Sequence, residues 1–495
     1  MSILGDKLNQ YINASGYTVY KLSQISGVNR TTIVRMLNAN RLPERRNMEH
    51  LIPYLKLTND ERKDLWRTYE MMSSGEELFY QRQYVLDMML AIYNPPERQH
   101  ISPFRAARVD TGEIFDPIET PCIMSGKYEV AHALSLIMLS EDAKEICIFA
   151  PFQNDFLSEF FGHFSRNTLS EVHIHHMMHL IKKPADITQV NYNLSVLSHV
   201  LPLALAEDID YHAYYSYVNN TVSNESQIMF PFYVIIGNML IELAYDFSSA
   251  RFTSDPDIVQ HYRNSFEALR QKTRQLVEVH SSFSEIMSNF TSSETNQYST
   301  STISTHPRIV NIFDKSILSH MIRADIATSQ FFEQLFQNHL TRLMSIKNRT
   351  CFFPITGLDD LVYNGRITDI PYEYVAPVPI EDRMTILERL RVECMKESCK
   401  IRITNPISFP MKTNITIQST SDQRIILLAV DHNEKKFRYL EIDEPALTDS
   451  LVDFLEYMGN DFGICSDYVY SRDQTLETID HYMDELENML STEES

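Results

Sequence analysis

Residues 22–37, LSQISGVNRTTIVRML, indicate the structure of the N-terminal segment. Leu22 and Ile25 lie three residues apart and therefore share one face of a short helix that Thr18 can cap. Gly27 follows, and glycine is the residue that most readily adopts the left-handed conformation in which many helices end. The pattern predicts one helix, a tight turn and a second helix in close succession.

The second helix is predicted over Arg30–Asn38, with Asn29 as its cap and Val28 directed into the core. Its apolar residues recur at spacings of three and four, which places them on one buried face. They are Ile33, Met36 and Leu37. The opposite face is polar. Because helix N-termini carry a partial positive charge and free N–H groups, the start of this helix also favours an anion such as phosphate.

This stretch resembles the lambda-repressor/Cro-like (Xre family) DNA-binding domain, and the resemblance covers residues 3–57. The matching positions are Leu22, Ser23, Gly27, Val28, Asn29, Thr32, Ile33 and Arg35. Val19 departs from the family, which often has Gln there, so the DNA contact of that Gln is not carried over. The resemblance implies an all-α helix-turn-helix domain that places its second helix in the major groove of duplex DNA.

The family's geometry implies which side chains face double-stranded DNA. Those on the second helix and its cap would face the bases: Asn29, Arg30, Thr31, Thr32 and Arg35. Nearby cations would contact the phosphate backbone: Lys21, Arg41, Arg45 and Arg46. Arg45 and Arg46 follow Pro43 in a predicted loop, where a solvated charge is an equally good interpretation.

Charge is distributed unevenly along the chain. The 495 residues carry a formal charge of −22, yet residues 1–57 contain eight Lys or Arg against three Asp or Glu. That local balance of +5 leaves −27 for the remainder. Phosphate contacts supply most of the sequence-independent affinity for nucleic acid, so the asymmetry is typical of a DNA-binding segment attached to a body that does not bind DNA.

Residues 58–94 contain two amphipathic patterns that predict connecting helices. Their apolar stripes must be covered, either by the N-terminal segment and the next domain or by a second subunit. Because proteins with a recognition helix usually bind two half-sites, we expect these helices to support a homodimer. Asn94-Pro95-Pro96 ends the second helix, and residues 95–120, with further prolines, predict a linker.

From about residue 121 the pattern alternates between helix and strand, which predicts helices covering a sheet. A first α/β subdomain is predicted over residues 121–280, ending in a long helix over 258–279. Residues 281–305 contain fourteen Ser or Thr, a composition that supplies no core, and predict a connection. A second α/β subdomain with a C-terminal helix is predicted over residues 306–495.

The ends of the two subdomains repeat one succession of elements: two strands, an acidic residue, a proline and a helix. A shift of 189 residues superposes Pro256 on Pro445 and Ile236 on Ile425. The arrangement is similar to the catalytically degenerate phospholipase-D-like effector modules of some transcription regulators. No His-x-Lys sequence occurs in the chain, so the catalytic residues of that family are not carried over.

The sequence lacks common catalytic and cofactor motifs. There is no Gly-x-Ser-x-Gly, no Gly-x-x-x-x-Gly-Lys and no His-Glu-x-x-His, and glycine is scarce. On a predicted strand, His173, His175 and His179 share one face and His176 points the other way. Alternate strand residues lie about 7 Å apart, which is wide for one metal ion. We therefore expect structural or solvent-facing histidines, with no metal, no cofactor and no catalytic residues.

Scattered cysteines, no signal-peptide pattern and no long apolar run indicate a cytoplasmic chain without a membrane span. The predicted fold is multidomain, an all-α N-terminal lambda-repressor-like helix-turn-helix followed by a large mixed α/β C-terminal region. We interpret the chain as a sequence-specific transcriptional regulator whose C-terminal region senses an unidentified small-molecule or peptide effector, or mediates oligomerisation. Two alternatives stay open: an enzyme with an autoregulatory DNA-binding domain, and a protein-interaction scaffold of a mobile-element system.

Overall fold

The structure is a computed structural model. It describes residues 3–38, 42–95, 118–138, 144–151, 172–184, 189–206, 209–219, 228–280, 299–307, 315–321, 348–368, 372–373, 375–419, 424–432, 436–460, 465 and 467–493. These residues form a mixed α/β, multidomain structure, with helices before residue 95 and a large mixed sheet with helices after it. Every described helix is too short or too polar to cross a lipid bilayer.

The N-terminal elements are helical. They are α1 (Ile3–Ser15), α2 (Val19–Ser26), α3 (Arg30–Asn38), α4 (Arg45–Leu51), a 3-10 turn (Ile52–Tyr54), α5 (Asn59–Ser74) and α6 (Glu76–Tyr93). The first five helices bury their apolar faces in one small core, to which Leu8, Ile33 and Leu65 each contribute a side chain with no exposed surface. We call residues 3–74 the head.

Helix α5 belongs to the head, whereas α6 belongs to the rest of the chain, which we call the body. A capping box begins α5, in which the Thr58 hydroxyl accepts from the Glu61 N–H and the Glu61 carboxylate accepts from the Thr58 N–H. Trp66 lies in the head core. By contrast, α6 packs in the core of the body, where Tyr93 is fully buried. The two stripes that predicted dimer contacts are thus covered within one chain.

The body contains eight more helices among the described residues. They are α7 (Lys127–Met138), α8 (Tyr192–Ala204), α9 (Pro256–Arg270), α10 (Lys315–Met321), α11 (Ile355–Asn364), α12 (Ile380–Met395), α13 (Pro445–Met458) and α14 (Arg472–Glu493). Prolines at the first helical position begin α9 and α13, where the missing N–H removes no hydrogen bond.

The described strands of the body all join one sheet. They are β1 (Cys122–Ser125), β2 (Glu145–Phe149), β3 (Val172–Ile181), β4 (Ile209–Val218), β5 (Phe232–Ile236), β6 (Met239–Leu243), β7 (Ser249–Thr253), β8 (Arg274–His280), β9 (Ser299–Ile303), β10 (Asn348–Phe353), β11 (Cys399–Ile403), β12 (Ile415–Ser419), β13 (Ile425–Asp431) and β14 (Lys436–Ile442). Their order is β1-β7-β6-β5-β2-β3-β4-β8-β14-β13-β12-β9-β10-β11.

The sheet contains the same six-strand order twice. The first block is β7-β6-β5-β2-β3-β4 and the second block is β14-β13-β12-β9-β10-β11, with β8 between them. In each block three neighbouring strands are parallel to one another, and the three strands beside them pair in antiparallel fashion. Because β8 is antiparallel to both β4 and β14, the parallel strands of the second block run opposite to those of the first. The second block is therefore turned over.

The repeated succession predicted from sequence is present, but its alignment is wrong in one place. Asp255 and Glu444 both cap the helix that follows the last strand of their block, α9 and α13. Ile236, however, ends β5, whereas Ile425 begins β13, which is the counterpart of β6. The connections between strands differ in length in the two blocks, so one constant shift cannot align all their strands.

The predicted connection over residues 281–305 is wrong for its last residues. Residues 299–303 form β9, which lies inside the sheet between β10 and β12. Thr300, Ser301 and Thr302 are buried, and the Ser301 N–H donates to the Ser419 hydroxyl at 3.1 Å. Hydroxyl side chains can fill a core position when strands or neighbouring side chains satisfy their hydrogen bonds, and composition alone does not reveal such neighbours. Residues 281–298 lie outside the described residues.

The predicted long helix over 258–279 is also wrong in its second half. Helix α9 ends at Arg270, and Arg274–His280 forms β8, which joins the two blocks. Leu276 and Val277 are buried in that strand. The apolar residues of 274–280 fit a helical or a strand pattern, and pairing with β4 and β14 decides between them.

Candidate nucleic-acid interface

The turn between α2 and α3 has the geometry that its residue types predict. The Thr18 hydroxyl accepts from the Lys21 N–H at 3.2 Å and so caps α2. Gly27 ends α2 with φ 71°, a left-handed conformation that other residues adopt only with strain. Val28 is buried against the head core. The chain therefore reverses between the helices without exposing apolar surface.

Helix α3 is anchored to the head by one face and leaves the other in solvent. The Asn29 side chain accepts from the Thr31 N–H at 2.9 Å, which satisfies one free donor at the start of the helix. Ile33 and Met36 are buried, as the spacing predicts, and Leu37 is half-buried. The anchored face fixes the direction in which the polar face points.

The predicted base-facing residues lie on that exposed side of α3. Asn29, Arg30, Thr31 and Arg35 are exposed, and Thr32 is half-buried. Thr31 and Arg35 are four residues apart on α3 and therefore lie on one side of it. Within the described residues, neither Arg30 nor Arg35 forms an ion pair. Their guanidinium groups are accessible to a negatively charged partner.

The predicted phosphate-facing cations differ in how free they are. Lys21 and Arg46 are exposed. Arg45 is half-buried, because its guanidinium pairs with the Glu49 carboxylate at 2.9 Å and lies 5.6 Å above the centre of the Trp66 ring. Its cation is therefore partly engaged inside the head. Arg41 lies outside the described residues.

Two other cations of the N-terminal segment are used inside the head. The Lys7 ammonium contacts the Thr68 hydroxyl at 2.9 Å and pairs with Asp64, which ties α1 to α5. The Lys56 ammonium donates to the Ser15 carbonyl at 3.1 Å and lies 4.6 Å above the Tyr17 ring. The net charge of the segment thus overstates the number of cations available to a ligand.

Sequence reasoning missed three side chains on the exposed surface of the candidate interface. Tyr20 is 60% exposed on α2, and the Gln24 amide donates to its hydroxyl at 3.0 Å. Val34, on α3, is 39% exposed. An exposed aliphatic side chain on a recognition helix is suited to contact a thymine methyl group. The helical spacing from buried Ile33 and Met36 could have identified Val34.

The first turns of α2 and α3 carry no acidic residue. By contrast, the connecting helices have acids there: Asp60 and Glu61 in α5, and Glu76 and Glu77 in α6. Acids at a helix N-terminus stabilise it by about 0.3–1 kcal/mol, and a cation there is unfavourable. Arg30, the first residue of α3, therefore lowers the stability of the helix when no ligand is bound. A phosphate bound there would offset this unfavourable interaction.

The histidine cluster of β3 is the other group of titratable side chains that the sequence identified. His176 is fully buried; its Nε2 donates to the Ala150 carbonyl at 2.7 Å, and its Nδ1 accepts from the Tyr211 hydroxyl at 2.9 Å. Burial lowers the pKa of His176 to about 4, so the ring is neutral at pH 7. This imidazole is a hydrogen-bonded core residue.

The remaining histidines of β3 lie on the opposite face, as strand alternation predicts. His173 and His212 both contact the Asp210 carboxylate, at 2.7 and 3.1 Å, which lowers the pKa of Asp210. His175 stacks on the His212 ring, and burial is the main cause of its lowered pKa. No group of three potential ligands is placed to hold a metal ion among the described residues.

Comparisons with known proteins add little. No family model matches the chain, and no curated protein matches it. One solved structure that matches is that of TrmBL2, an archaeal chromatin protein with a novel mode of DNA binding. The likeness has a TM-score of 0.20 and 11% sequence identity, and it covers 46% of this chain and 70% of that chain. At so low a TM-score it establishes neither a shared fold nor a shared function.

Proposed function

We propose that the chain is a sequence-specific, DNA-binding transcriptional regulator of the lambda-repressor/Cro-like (Xre) type. In this proposal the head is a helix-turn-helix domain and α3 enters the major groove of double-stranded DNA. The observation that carries the proposal is the exposed polar face of α3, where Asn29, Arg30, Thr31 and Arg35 are accessible while Ile33 and Met36 hold the helix to the core. Lys21 and Arg46 would contact phosphates beside it.

The proposal assigns the body a sensing or oligomerisation role and no catalytic activity. It places the chain in the cytoplasm. It also makes the protein a homodimer, because two recognition helices are needed for two half-sites. Since α5 and α6 are covered within one chain, the dimer contact would use another surface. Sedimentation at micromolar concentration, with and without duplex, tests this part, and a protein that stays monomeric under both conditions contradicts it.

The experiment that tests DNA binding compares two charge-matched double variants. A duplex is first selected from a random pool by the full-length protein, and its affinity is then measured by gel shift at fixed salt. We expect Arg30→Ala plus Arg35→Ala to lower affinity roughly 100-fold, because each side chain contributes about 1–3 kcal/mol as a base or phosphate contact. Thermal unfolding should change little, since both side chains are exposed.

The control is Lys183→Ala plus Lys272→Ala, which removes the same charge from exposed positions of the body. It should leave affinity within about twofold, because screened charges distant from the contact contribute little. A salt titration separates DNA binding from docking to a protein. Each phosphate contact makes the slope of log affinity against log salt concentration more negative by about 0.9. Failure to select any duplex, or equal loss in both double variants, contradicts the proposal.

A further inference from the structure

A cavity of about 360 Å³ lies where three parts of the chain meet. Its walls come from α6, from the end of β3 and the start of α8 in the first block with the described residues beside them, and from the start of α13 in the second block. Small-molecule sites in proteins typically measure about 300–1,000 Å³, and ligands of α/β sheets commonly bind beyond the carboxyl ends of parallel strands. Ile181, the last residue of β3, and Lys182, which follows it, form one wall.

The floor of the cavity is apolar. Ile181, Leu194 and Leu447 line it and are buried. The Asn193 amide is fixed by two hydrogen bonds to the backbone of Ile181, at 2.9 and 3.0 Å, which holds the start of α8 against the end of β3. A ligand with a small apolar part would therefore meet a preformed surface.

One polar wall of the cavity is formed by α6 and α13. The Gln81 amide donates to the Ser450 hydroxyl at 2.7 Å, and the Arg82 guanidinium forms two hydrogen bonds to the Asp453 carboxylate, at 2.7 and 2.9 Å. These contacts hold the two helices together beside the cavity. Asp453 is therefore already neutralised and leaves the recognition of a ligand to other charges.

Three charged side chains at the rim carry no such partner. They are Glu77 on α6, Asp449 on α13 and Lys182 at the end of β3, and all three are exposed. Within the part of the chain that the structure describes, none of them forms an ion pair. Two free carboxylates thus lie on the helical wall, and one free ammonium lies on the strand wall.

We infer that this cavity binds a small zwitterion, a free amino acid or a dipeptide, as the effector of the protein. The ligand's ammonium would contact Glu77 and Asp449, its carboxylate would contact Lys182, and its side chain would rest on the apolar floor. A molecule with opposite charges at its two ends complements a cavity that has carboxylates on one wall and an ammonium on another. The cavity has the volume for a ligand of that size.

A ligand in this cavity would act on the head through α6 and α13. Helix α6 continues from the head after Gly75, and the Tyr457 hydroxyl on α13 donates to the buried Glu70 carboxylate on α5. A zwitterion that joins Lys182 to these two helices would bind best to the arrangement in which all three walls are close. This regulatory consequence rests on the proposed function, whereas the ligand binding does not.

The binding test uses the full chain without DNA. A panel of the common L-amino acids and of Gly-X dipeptides is screened at millimolar concentration by thermal unfolding, and binders are measured by calorimetry. We expect at least one compound to raise Tm by about 2 °C or more. Lys182→Glu and Asp449→Asn should weaken its binding at least about tenfold, because each removes one charge contact.

Neighbouring charges provide matched controls. Lys183→Glu and Glu76→Gln alter exposed residues of the same type that do not line the cavity, so both should bind the compound as the wild type does. A panel without any binder overturns the inference, and so does a compound that binds the Lys182→Glu protein as tightly as the wild type. Loss of binding in the control variants to the same degree also overturns it.

The final measurement adds duplex DNA to the same proteins. We expect the compound to change duplex affinity about fivefold or more in the wild type and not in Lys182→Glu. Binding of the compound by a protein that recognises no duplex would support the site and contradict the proposed function. Binding of both ligands without mutual influence would overturn the role of the cavity as an effector site.

Discussion

The helices α9 and α13 occupy equivalent places in the two blocks. Helix α9 only covers the sheet, whereas α13 also contacts the head. Helix α9 buries only Val259 and Phe266 and leaves its outer side exposed. Helix α13 buries seven residues, from Leu447 to Met458, because both the sheet and α6 pack against it. The second block is turned over, so its helix lies on the face of the sheet where α6 arrives. Position in the sheet, not local sequence, decides which copy contacts the head.

The blocks also differ in the chemistry of their strands. In the described strands, the first block contains five histidines, four of them in β3, whereas the second block contains none. The buried polar side chains of the second block are hydroxyls such as Thr300 and Thr416, together with Gln418, Arg349 and Arg402. The first block therefore has a core that responds to protons, and the second block has a helix that contacts the head.

The largest expected difference concerns the two N-caps. Glu444 is fully buried, where its carboxylate accepts from the Leu447 N–H at 2.7 Å and from the Tyr217 hydroxyl of the first block. Asp255, by contrast, is exposed, and among the described residues it accepts only from the first N–H groups of α9. We expect Glu444→Ala to lower the free energy of unfolding by about 3 kcal/mol and Asp255→Ala by about 1 kcal/mol.

Chemical denaturation of the two variants, monitored by circular dichroism, measures both free energies. Glu444→Gln is the useful intermediate, because its amide oxygen can still accept one of the two hydrogen bonds. It should fall between the wild type and Glu444→Ala. Equal losses of unfolding free energy in Glu444→Ala and Asp255→Ala would show that the burial of Glu444 adds no stability. Helices α9 and α13 would then differ in their exposure but not in the energy of their N-caps.

Local signals in the sequence were enough to predict the turn between α2 and α3 and the buried face of α3. The cap at Thr18, the left-handed Gly27 and the buried Ile33 depend only on neighbours along the chain, and the structure has all three as predicted. The state of the cations was not predictable in the same way. Lys7 and Lys56 are engaged by α5 and by the end of α1, which are partners from distant parts of the sequence.

The architecture of the body was predictable only as a class. Alternating helix and strand patterns predicted helices covering a sheet, and the structure contains both. The patterns do not contain the pairing partners. Residues 299–303 and 274–280 were misassigned because their strand character depends on β12 and β14, which lie more than a hundred residues away in the chain. The inversion of the second block follows from those same pairings.

The next contrast between the blocks is their response to acid. His176 has a folded-state pKa near 4, below the value of about 6.5 in an unfolded chain. As pH falls below about 6.5, the unfolded chain takes up a proton on this residue and the folded chain does not, so the free energy of unfolding decreases. From pH 7 to pH 5 we expect this residue to remove about 2 kcal/mol.

The comparison variant is His176→Gln, whose amide can donate to the Ala150 carbonyl and accept from the Tyr211 hydroxyl without titrating. Denaturation curves at several pH values should show a shallower dependence for this variant than for the wild type. His261→Gln, at an exposed position of α9, should keep the wild-type dependence. An unchanged slope in His176→Gln would mean that the buried imidazole is not what makes the first block sensitive to acid.

The smallest expected effect separates the cover helix from the contact helix directly. Each carries a tyrosine that donates to a buried carboxylate: Tyr262 of α9 to Glu242 at 2.8 Å, and Tyr457 of α13 to Glu70 of the head. Glu242 also pairs with Arg251, so it keeps a partner when the phenol is removed. We expect Tyr457→Phe to lower the free energy of unfolding by about 1 kcal/mol and Tyr262→Phe by less.

The distinguishing measurement is where hydrogen exchange changes, because global stability alone cannot tell the two roles apart. In Tyr457→Phe, exchange should increase in α5 and α6, since the removed hydroxyl joins the head to α13. In Tyr262→Phe, any increase should stay within α9 and β6. Faster exchange of α5 in both variants would mean that the head responds to either block. The inverted position of the second block would then not be the reason that α13 contacts it.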